Sequence, residues 1–376
     1  MHIYLDNAST TPVHPDVLAY MYEILNENFG NPSSIHWHGR KAKSIIEQSR
    51  KTVANTINAS IGEIFFTSCA TEAANMVLKN AVTDLGVQRI ISSPTEHHCI
   101  LHTLDYLQIN NLCEIVYLPV DNSGHIDYHV LEAELSKNTS KTMVSIMHGN
   151  NEIGTIHDID NIGRMCHDYQ ALFYCDAVQT IGKLPIDVQK SKISFLTGSG
   201  HKFHGPKGVG FVYINNENII SPYILGGAQE RNMRAGTENI AGIAGLAKAL
   251  ELAVLQMDKN QTYIGSLRNQ FKQLVEHNLH DVSFNGDQTN HYLKHILSIS
   301  FPPGLHADML VMNLDIAGIS ASSGSACSAG IEEDSHVLKA IGHPSIRKAI
   351  RFSFSHYNTT SEIEYTTMIL KELLSK

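Results

Sequence analysis

Residues 193–214 read ISFLTGSGHKFHGPKGVGFVYI. Two apolar runs, 193–200 and 208–214, have strand character, and Lys202 stands between them among small and polar residues. A strand that ends in glycine, serine and a basic residue is the sort that closes on a ligand in an open α/β sheet. Working back along the chain, other apolar runs end the same way. They are EIFFTS (63–68), RIISSP (89–94), CEIVYLPV (113–120), KTMVSIMHGN (141–150) and LFYCDA (172–177). Between them lie segments of helical spacing: CATEAANMVLKNAV, EHHCILHTLDYLQ, DYHVLEAELS and NIGRMCHDYQA. Strand and helix in alternation predict right-handed crossovers and a mainly parallel sheet with helices on both faces.

Beyond the long helical pattern RAGTENIAGIAGLAKALELAVLQM (234–257) the rhythm changes. HILSISFP, LVMNLDIAGIS, IRFSFS and a terminal helix, SEIEYTTMILKELLSK, suggest a smaller α+β unit. The expected division is a large domain over 15–258 and a small one built from 1–14 and 259–376, with the boundary in the polar stretch QMDKNQT. Composition fits a globular protein of this size: 376 residues, 43% hydrophobic and 17% charged. The formal charge of −9, without a basic cluster, argues against a nucleic-acid partner. No apolar run is long enough for a membrane span, and MHIYLDNASTTP lacks the regions of a signal peptide. A cytoplasmic protein is the expectation. The six cysteines form no C-x-x-C pair, so neither a zinc nor a thioredoxin-type site is suggested, and free thiols are expected.

Five strand ends then deserve inspection together: SCATE, PTEHH, HGNNEIG, DAVQ and GSGHK. Ser199, Gly200 and His201 offer a hydroxyl, a close-approach backbone and an imidazole to a phosphate. A lysine beside such a site, Lys202, suggests a Schiff base with pyridoxal phosphate. Alone it reads equally as a surface lysine. Asp176 closes an apolar strand, where it could pair with a pyridinium nitrogen or simply cap the next turn. Gln179 could donate to the ring's phenolic oxygen. Ala70 and Thr71 open a helix whose free N–H groups suit a phosphate, while Ser68 or Thr71 could form a capping box. His97 could stack on a ring and shuttle protons, and Asn151 could bond the ring oxygen or a substrate carboxylate. Finally SSGSACSAG (322–330) sets Cys327 in a stretch with little bulk to bury it. It follows LVMNLDIAGIS and precedes IEEDSHVLKAIG, which reads as a helix. A small-residue loop would let a thiol travel, where a buried structural cysteine would be inert.

Taken in order, YLDNASTTP, FGNPSSIH, TSCATEAAN, TEHHCIL, NNEIG, DAVQTIGKLPID, SGHKFHGPKGVG, RAGTENIAGI, SSGSACSAG and IRFSFS resemble the cysteine desulfurases. These are the class V aminotransferase branch of the fold-type I pyridoxal phosphate enzymes, and the resemblance covers nearly the whole chain. It implies that Lys202 binds the cofactor covalently and that Asp176 and Gln179 contact its ring nitrogen and oxygen. His97 would stack above the ring, and Thr71, Ser199 and His201 would bind the phosphate. Thr237, in RAGTEN, would reach the phosphate of a neighbouring subunit, which implies a homodimer. Asn151 and Arg351 would hold the substrate carboxylate. Cys327 would take sulfur from L-cysteine as a persulfide, leaving L-alanine, and pass it to an acceptor protein such as an iron–sulfur scaffold or a sulfur relay protein. Cluster assembly and tRNA thiolation are the pathways such sulfur serves.

Two positions depart from the pattern. Cys69 stands where glycine is common and would crowd the phosphate turn or add a second thiol. Gly149 stands where a branched apolar residue is usual and would loosen the packing. The rival readings are a selenocysteine lyase or cysteine sulfinate-type enzyme on the same fold and an ordinary aminotransferase. A non-catalytic iron–sulfur carrier, with Cys327 transiently ligating a cluster, is the reading of another class; no resident metal is expected.

Overall fold

The computed structural model describes residues 2–137, 140–304, 309–323 and 335–374. Seven strands form the main sheet: β2 (Ile64–Thr67), β3 (Arg89–Ser92), β4 (Glu114–Tyr117), β5 (Thr142–Ser145), β6 (Leu172–Asp176), β7 (Phe195–Ser199) and β8 (Gly210–Ile214). Their order is β2-β8-β7-β6-β5-β3-β4. Only β8 runs against its neighbours, so the sheet is mainly parallel as expected.

The strand residues explain the layering. Phe66, Ile91, Val144, Phe173, Cys175, Leu196, Phe211 and Tyr213 belong to one buried cluster. Their immediate neighbours in sequence, Phe65, Ile90, Met143, Tyr174, Phe195 and Val212, belong to another. Successive side chains in a strand point to opposite faces, so both faces are covered. Helices α3 (Ala70–Thr83) and α4 (His98–Ile109) cover the second face, sending Ala73, Met76, Val77, Ile100 and Leu104 into it. On the first face lie α1 (Pro15–Glu27), α2 (Trp37–Thr56), α5 (Tyr128–Ser136), α6 (Ile159–Asp168) and α7 (Ile240–Leu255). The first two stand outside the strand–helix alternation and were not anticipated from it. Helix α7 is shorter than its pattern: residues 234–239 are not helical, and Asn239 caps the start by accepting from Gly242 N.

The polar stretch after α7 is helical too. Helix α8 (Met257–Asn278) follows Gln256 at a bend of 74°. It packs Leu267, Phe271 and Val275 into a separate core with β10 (Ile296–Phe301) and β12 (Lys348–Ser353). These strands pair antiparallel, with β9 (Ser283–Asn285) on the far side of β10. Ile3 and Leu5 join this core because β1 (Ile3–Tyr4) pairs with β11 (Ile319–Ser320). Of LVMNLDIAGIS, the first part is helix α9 (Leu310–Ile316) and only its end is β11. The helix expected at 331–342 is described as α10 (His336–Ala340), and the chain closes with α11 (Thr360–Leu374). No single helix among the described residues is long and apolar enough to cross a membrane.

An ion pair finishes the free edge of β2. Arg50, 1% exposed, donates to Glu230 at 2.6 and 2.9 Å and to Ile64 O at 2.8 Å. Glu230 Oε2 also accepts from Phe66 N at 2.8 Å. The pair thus supplies the hydrogen bonds that an edge strand otherwise offers to another chain. Glu230→Ala leaves the buried Arg50 with only Glu47, at 3.2 Å from its Nε and partly exposed, as counter-charge, and urea unfolding is expected to show a loss of about 3 kcal/mol. Replacing both partners by apolar residues is expected to recover much of it.

Candidate active site

Strands β2, β3, β5, β6 and β7 all point the same way, so their carboxyl ends share one edge of the sheet. The polar residues singled out from the sequence follow those ends. Asp176 is the last residue of β6, and Ser199 the last of β7, with Gly200, His201 and Lys202 in the 3₁₀ turn after it. Cys69, Ala70 and Thr71 open α3 after β2, and His97 caps α4 after β3. Asn151 follows β5.

A segment from the other end of the fold closes this edge. Lys202 Nζ donates to Ala8 O at 2.6 Å and to Ser9 O at 2.8 Å. Gln179 Nε2 donates to Ala8 O at 2.9 Å. His201 Nδ1 lies 3.1 Å from Thr10 Oγ1, and its carbonyl accepts from Thr11 N at 2.9 Å. Arg351, 3% exposed, donates from Nη2 to Asp6 Oδ1 at 2.9 Å and to Ser9 Oγ at 2.6 Å. Its Nη1 donates to the carbonyl of Asn151 at 2.8 Å. The sequence reading missed that this N-terminal backbone is a wall of the site, although YLDNASTTP was itself one of the matching motifs.

Several details differ from expectation. The arginine fork is already engaged, and Asn151 meets it through its carbonyl rather than its side-chain amide. Arg351 Nε is buried without a partner among the described residues. Gln179 is held at both ends, its Oε1 lying 3.2 Å from His295 Nε2, which leaves one N–H of the amide for a ligand. The capping box does not form as drawn: Cys69 occupies the N-cap and its side chain makes no capping bond to the helix, while Ser68 N and Oγ donate to Glu72. The start of α3 therefore keeps its N–H groups for an anion. Cys69 does not strain the turn, because its φ of −170° is extended backbone. What requires a glycine is Gly210 opposite, where a Cβ would lie 3.0 Å from the Cys69 carbonyl carbon. Gly149 does not loosen the core either; a Cβ there would meet Thr180 Cγ2 at 2.8 Å and Leu293 at 3.0 Å. Thr237 is exposed, with no hydrogen bond to the site among the described residues. Cys327 lies outside the described residues.

Burial sets the charges here. Asp176 is pushed up to about 6 by burial, against the opposing pull of Val178 N–H and Lys202. His97 is pulled down to about 4 by burial and then by Lys202, so it is neutral near pH 7. Its Nδ1 accepts from Cys99 N at 3.2 Å, which places the ring proton on Nε2. Glu96, missed in the sequence although it adjoins His97, is buried and raised well above the usual range, first by burial and then by Asp176. Its Oε1 accepts from Met147 N at 2.6 Å.

The raised pKa of Asp176 has a cost in the ligand-free protein. The fold keeps the carboxyl protonated up to about pH 6, whereas in the unfolded chain it ionises near pH 4. Stability linked to this group is full below about pH 4 and falls as pH rises to about 6. Asp176→Asn cannot ionise. Urea unfolding of the ligand-free variant is expected to show parity with the parent at pH 4 and a gain of about 1–3 kcal/mol at pH 8.

The comparisons agree with this architecture. The family model for aminotransferase class-V matches residues 3–366. A protein named cysteine desulfurase IscS from Dictyoglomus turgidum is 42% identical over 378 residues, covering 100% of this chain and 95% of that one. A putative cysteine desulfurase IscS 1 from Bacillus subtilis is 42% identical over 96% of each chain. The solved structure of a NifS-like protein superposes with a TM-score of 0.91 at 36% identity, covering 100% of both chains. A lysine, a buried aspartate and a buried arginine at the carboxyl edge of such a sheet, with likeness along the full length, make this chain a member of the class-V aminotransferase family, among its cysteine desulfurases.

Proposed function

We propose that this chain binds pyridoxal phosphate at the β-strand edge, takes sulfur from L-cysteine onto Cys327 and hands it to an acceptor protein, leaving L-alanine. The observation that carries the reading is the meeting of Lys202, Asp176 and Arg351 around one edge, tied by the Asp6–Thr11 segment. The residues present fit the cofactor. A carboxyl that burial holds near 6 gains a natural partner in a protonated ring nitrogen, and the uncapped start of α3 offers N–H groups to a phosphate. Ala70, Thr71, Ser199, Gly200 and His201 would surround that phosphate, and Lys202 would bind the aldehyde carbon. When bound, the ring supplies an electron sink for a carbanion at the substrate Cα.

The chain's own residues do the rest. Lys202, with its Nζ placed by Ala8 O and Ser9 O, would move the proton at the substrate Cα. Neutral His97 presents its Nε2 proton from the cap of α4. Arg351 orients the substrate carboxylate, with Asp6 and Ser9 as the contacts it exchanges. The thiolate of Cys327 then attacks the substrate sulfur and breaks the S–Cβ bond, forming an enzyme persulfide. The described residues on either side of that cysteine are fixed beside the site. Ser322 exchanges backbone bonds with Arg351 at 2.7 and 3.2 Å. Ser335 Oγ donates to Glu152 Oε2 at 2.5 Å, and His336 Nε2 lies 2.8 Å from Glu96 O. Cys327 is five positions along the chain from Ser322, and such a tether reaches at most roughly 17 Å.

The same reading includes a homodimer whose Thr237 serves the partner's site. Leu18, Tyr22, Leu25, Phe29, Ile35 and Trp37, on and between α1 and α2, are all more than half exposed, which suits a second copy of the chain. The division into domains at 15–258 and at 1–14 with 259–376 is favoured by the two separate sets of core residues. A cytoplasmic location, with delivery to cluster assembly or tRNA thiolation, suits the free thiols of Cys69, Cys99, Cys113, Cys166 and Cys175.

Incubation with L-cysteine and mass spectrometry test the reading: the peptide bearing Cys327 is expected to gain one sulfur as alanine accumulates. Cys327→Ala is expected to abolish that gain while the protein stays yellow, whereas Lys202→Ala loses the absorbance of the covalently bound cofactor. Alanine and sulfide output undiminished in Cys327→Ala would overturn the assignment. For Arg351→Ala, a KM for L-cysteine raised roughly 10- to 100-fold is expected, as for loss of a charged hydrogen bond.

A further inference from the structure

A second cavity lies where α7 bends into α8. Leu252, Ala253, Met257 and Ile264 wall it on one side, and Phe203 and Phe354 on the other. The space, counted out through its mouth into open solvent, is about 630 Å³, of which only a small part is enclosed. Its polar rim carries Lys183, His14, His204 and His356, and no acidic residue is among the described residues that line it. His204 and His356 pack ring to ring, with centroids 4.7 Å apart.

Lys183 is the feature that gives this cavity a ligand. Its Nζ has one acceptor among the described residues, the carbonyl of Gln179 at 3.2 Å, and no carboxylate in ion-pair reach. Burial, reinforced by the like charge of Lys202, pulls its pKa down to about 7. Lys183 is half-buried, and an ammonium that lines a mostly apolar space without a counter-charge either gives up its proton or takes an anion. Burial pulls His204 down to about 3 and lowers His356 and His295, so these three imidazoles add no second positive charge, and the remaining one, His14, lies 3.9 Å from Asp16. One cation in a mostly apolar space matches one anionic group on an apolar body. A dianion would exceed the charge available, and a neutral ligand would leave it unmet.

We propose that this cavity binds a small aliphatic monocarboxylate, its carboxylate on the Lys183 ammonium and its tail against Leu252, Ala253 and Ile264. The cavity abuts the strand-edge site through His295, which lines it and lies 3.2 Å from Gln179 Oε1, but Arg351, Asp176 and Lys202 are not among its lining residues. The titratable groups coupled to Lys183 are Lys202, His201, His204 and His295. As pH rises through about 7 the ammonium loses its proton, and affinity falls with it.

The test is calorimetric titration of the cofactor-loaded enzyme, saturated with L-alanine to fill the Arg351 site, with sodium hexanoate, 1-hexanol and hexylammonium. Hexanoate is expected to bind at pH 6 with a Kd on the order of 0.1–1 mM. Its affinity is expected to be roughly tenfold lower at pH 8, following the fraction of Lys183 protonated. Hexanol should bind at least roughly tenfold more weakly than hexanoate at pH 6, and hexylammonium more weakly still. Lys183→Met should erase the preference for hexanoate over hexanol, and Ala253→Leu, which fills the space, should remove binding of both. The proposal is overturned if L-alanine displaces hexanoate, if hexanol binds as well as hexanoate, or if no binding appears below roughly 10 mM. Hexanoate binding unchanged in Lys183→Met overturns it equally, whether or not the Ala253 variant folds.

Discussion

Two backbone carbonyls organise the site. Ala8 O and Ser9 O receive the ammonium of Lys202, and Ala8 O also receives the amide of Gln179. Neither carbonyl belongs to the main sheet. Both sit on the segment that follows β1, which is fixed by pairing with β11 and by Asn7 and Ala8 bonding to Ser353. Lys202 is thereby positioned by groups that are in place only when the two sets of core residues have assembled. A side-chain partner could swing away; a backbone carbonyl held between two strands cannot, so the geometry is inherited from the fold.

Exclusion of water fixes the protonation states around that lysine. Asp176, Glu96 and His97 are each shifted first by burial, and every shift is toward the neutral form. A buried carboxyl shifted in this way ionises more readily once a cationic group stands beside it, because the pairing offsets the desolvation that raised it. The buried arginine is handled otherwise. Arg351 is paired with Asp6, so any carboxylate that reaches it exchanges with an existing contact rather than meeting a bare charge.

The departures from the family pattern show how packing can absorb an unusual residue. Cys69 is accommodated because its backbone is extended and because Gly210, on the neighbouring strand, leaves room for that backbone. Gly149 leaves no void because Thr180 and Leu293 reach into the space of its missing side chain. In both cases the compensation lies far away in sequence, where a position-by-position reading has no access to it.

The sequence by itself determined the layered sheet and the residues at its edge. A strand buried on both faces must be a continuous apolar run, and such a run can end only where polar side chains find a ligand or water; Asp176, Ser199 and Lys202 are legible for that reason. It was silent on what depends on partners distant in the chain. The engagement of Arg351 with Asp6, the N-terminal wall over Lys202, the edge pair Arg50–Glu230 and the unpaired ammonium of Lys183 were decided by tertiary structure alone. Local periodicity records which face of an element is buried. Which polar group meets which across that face is settled only when the elements pack.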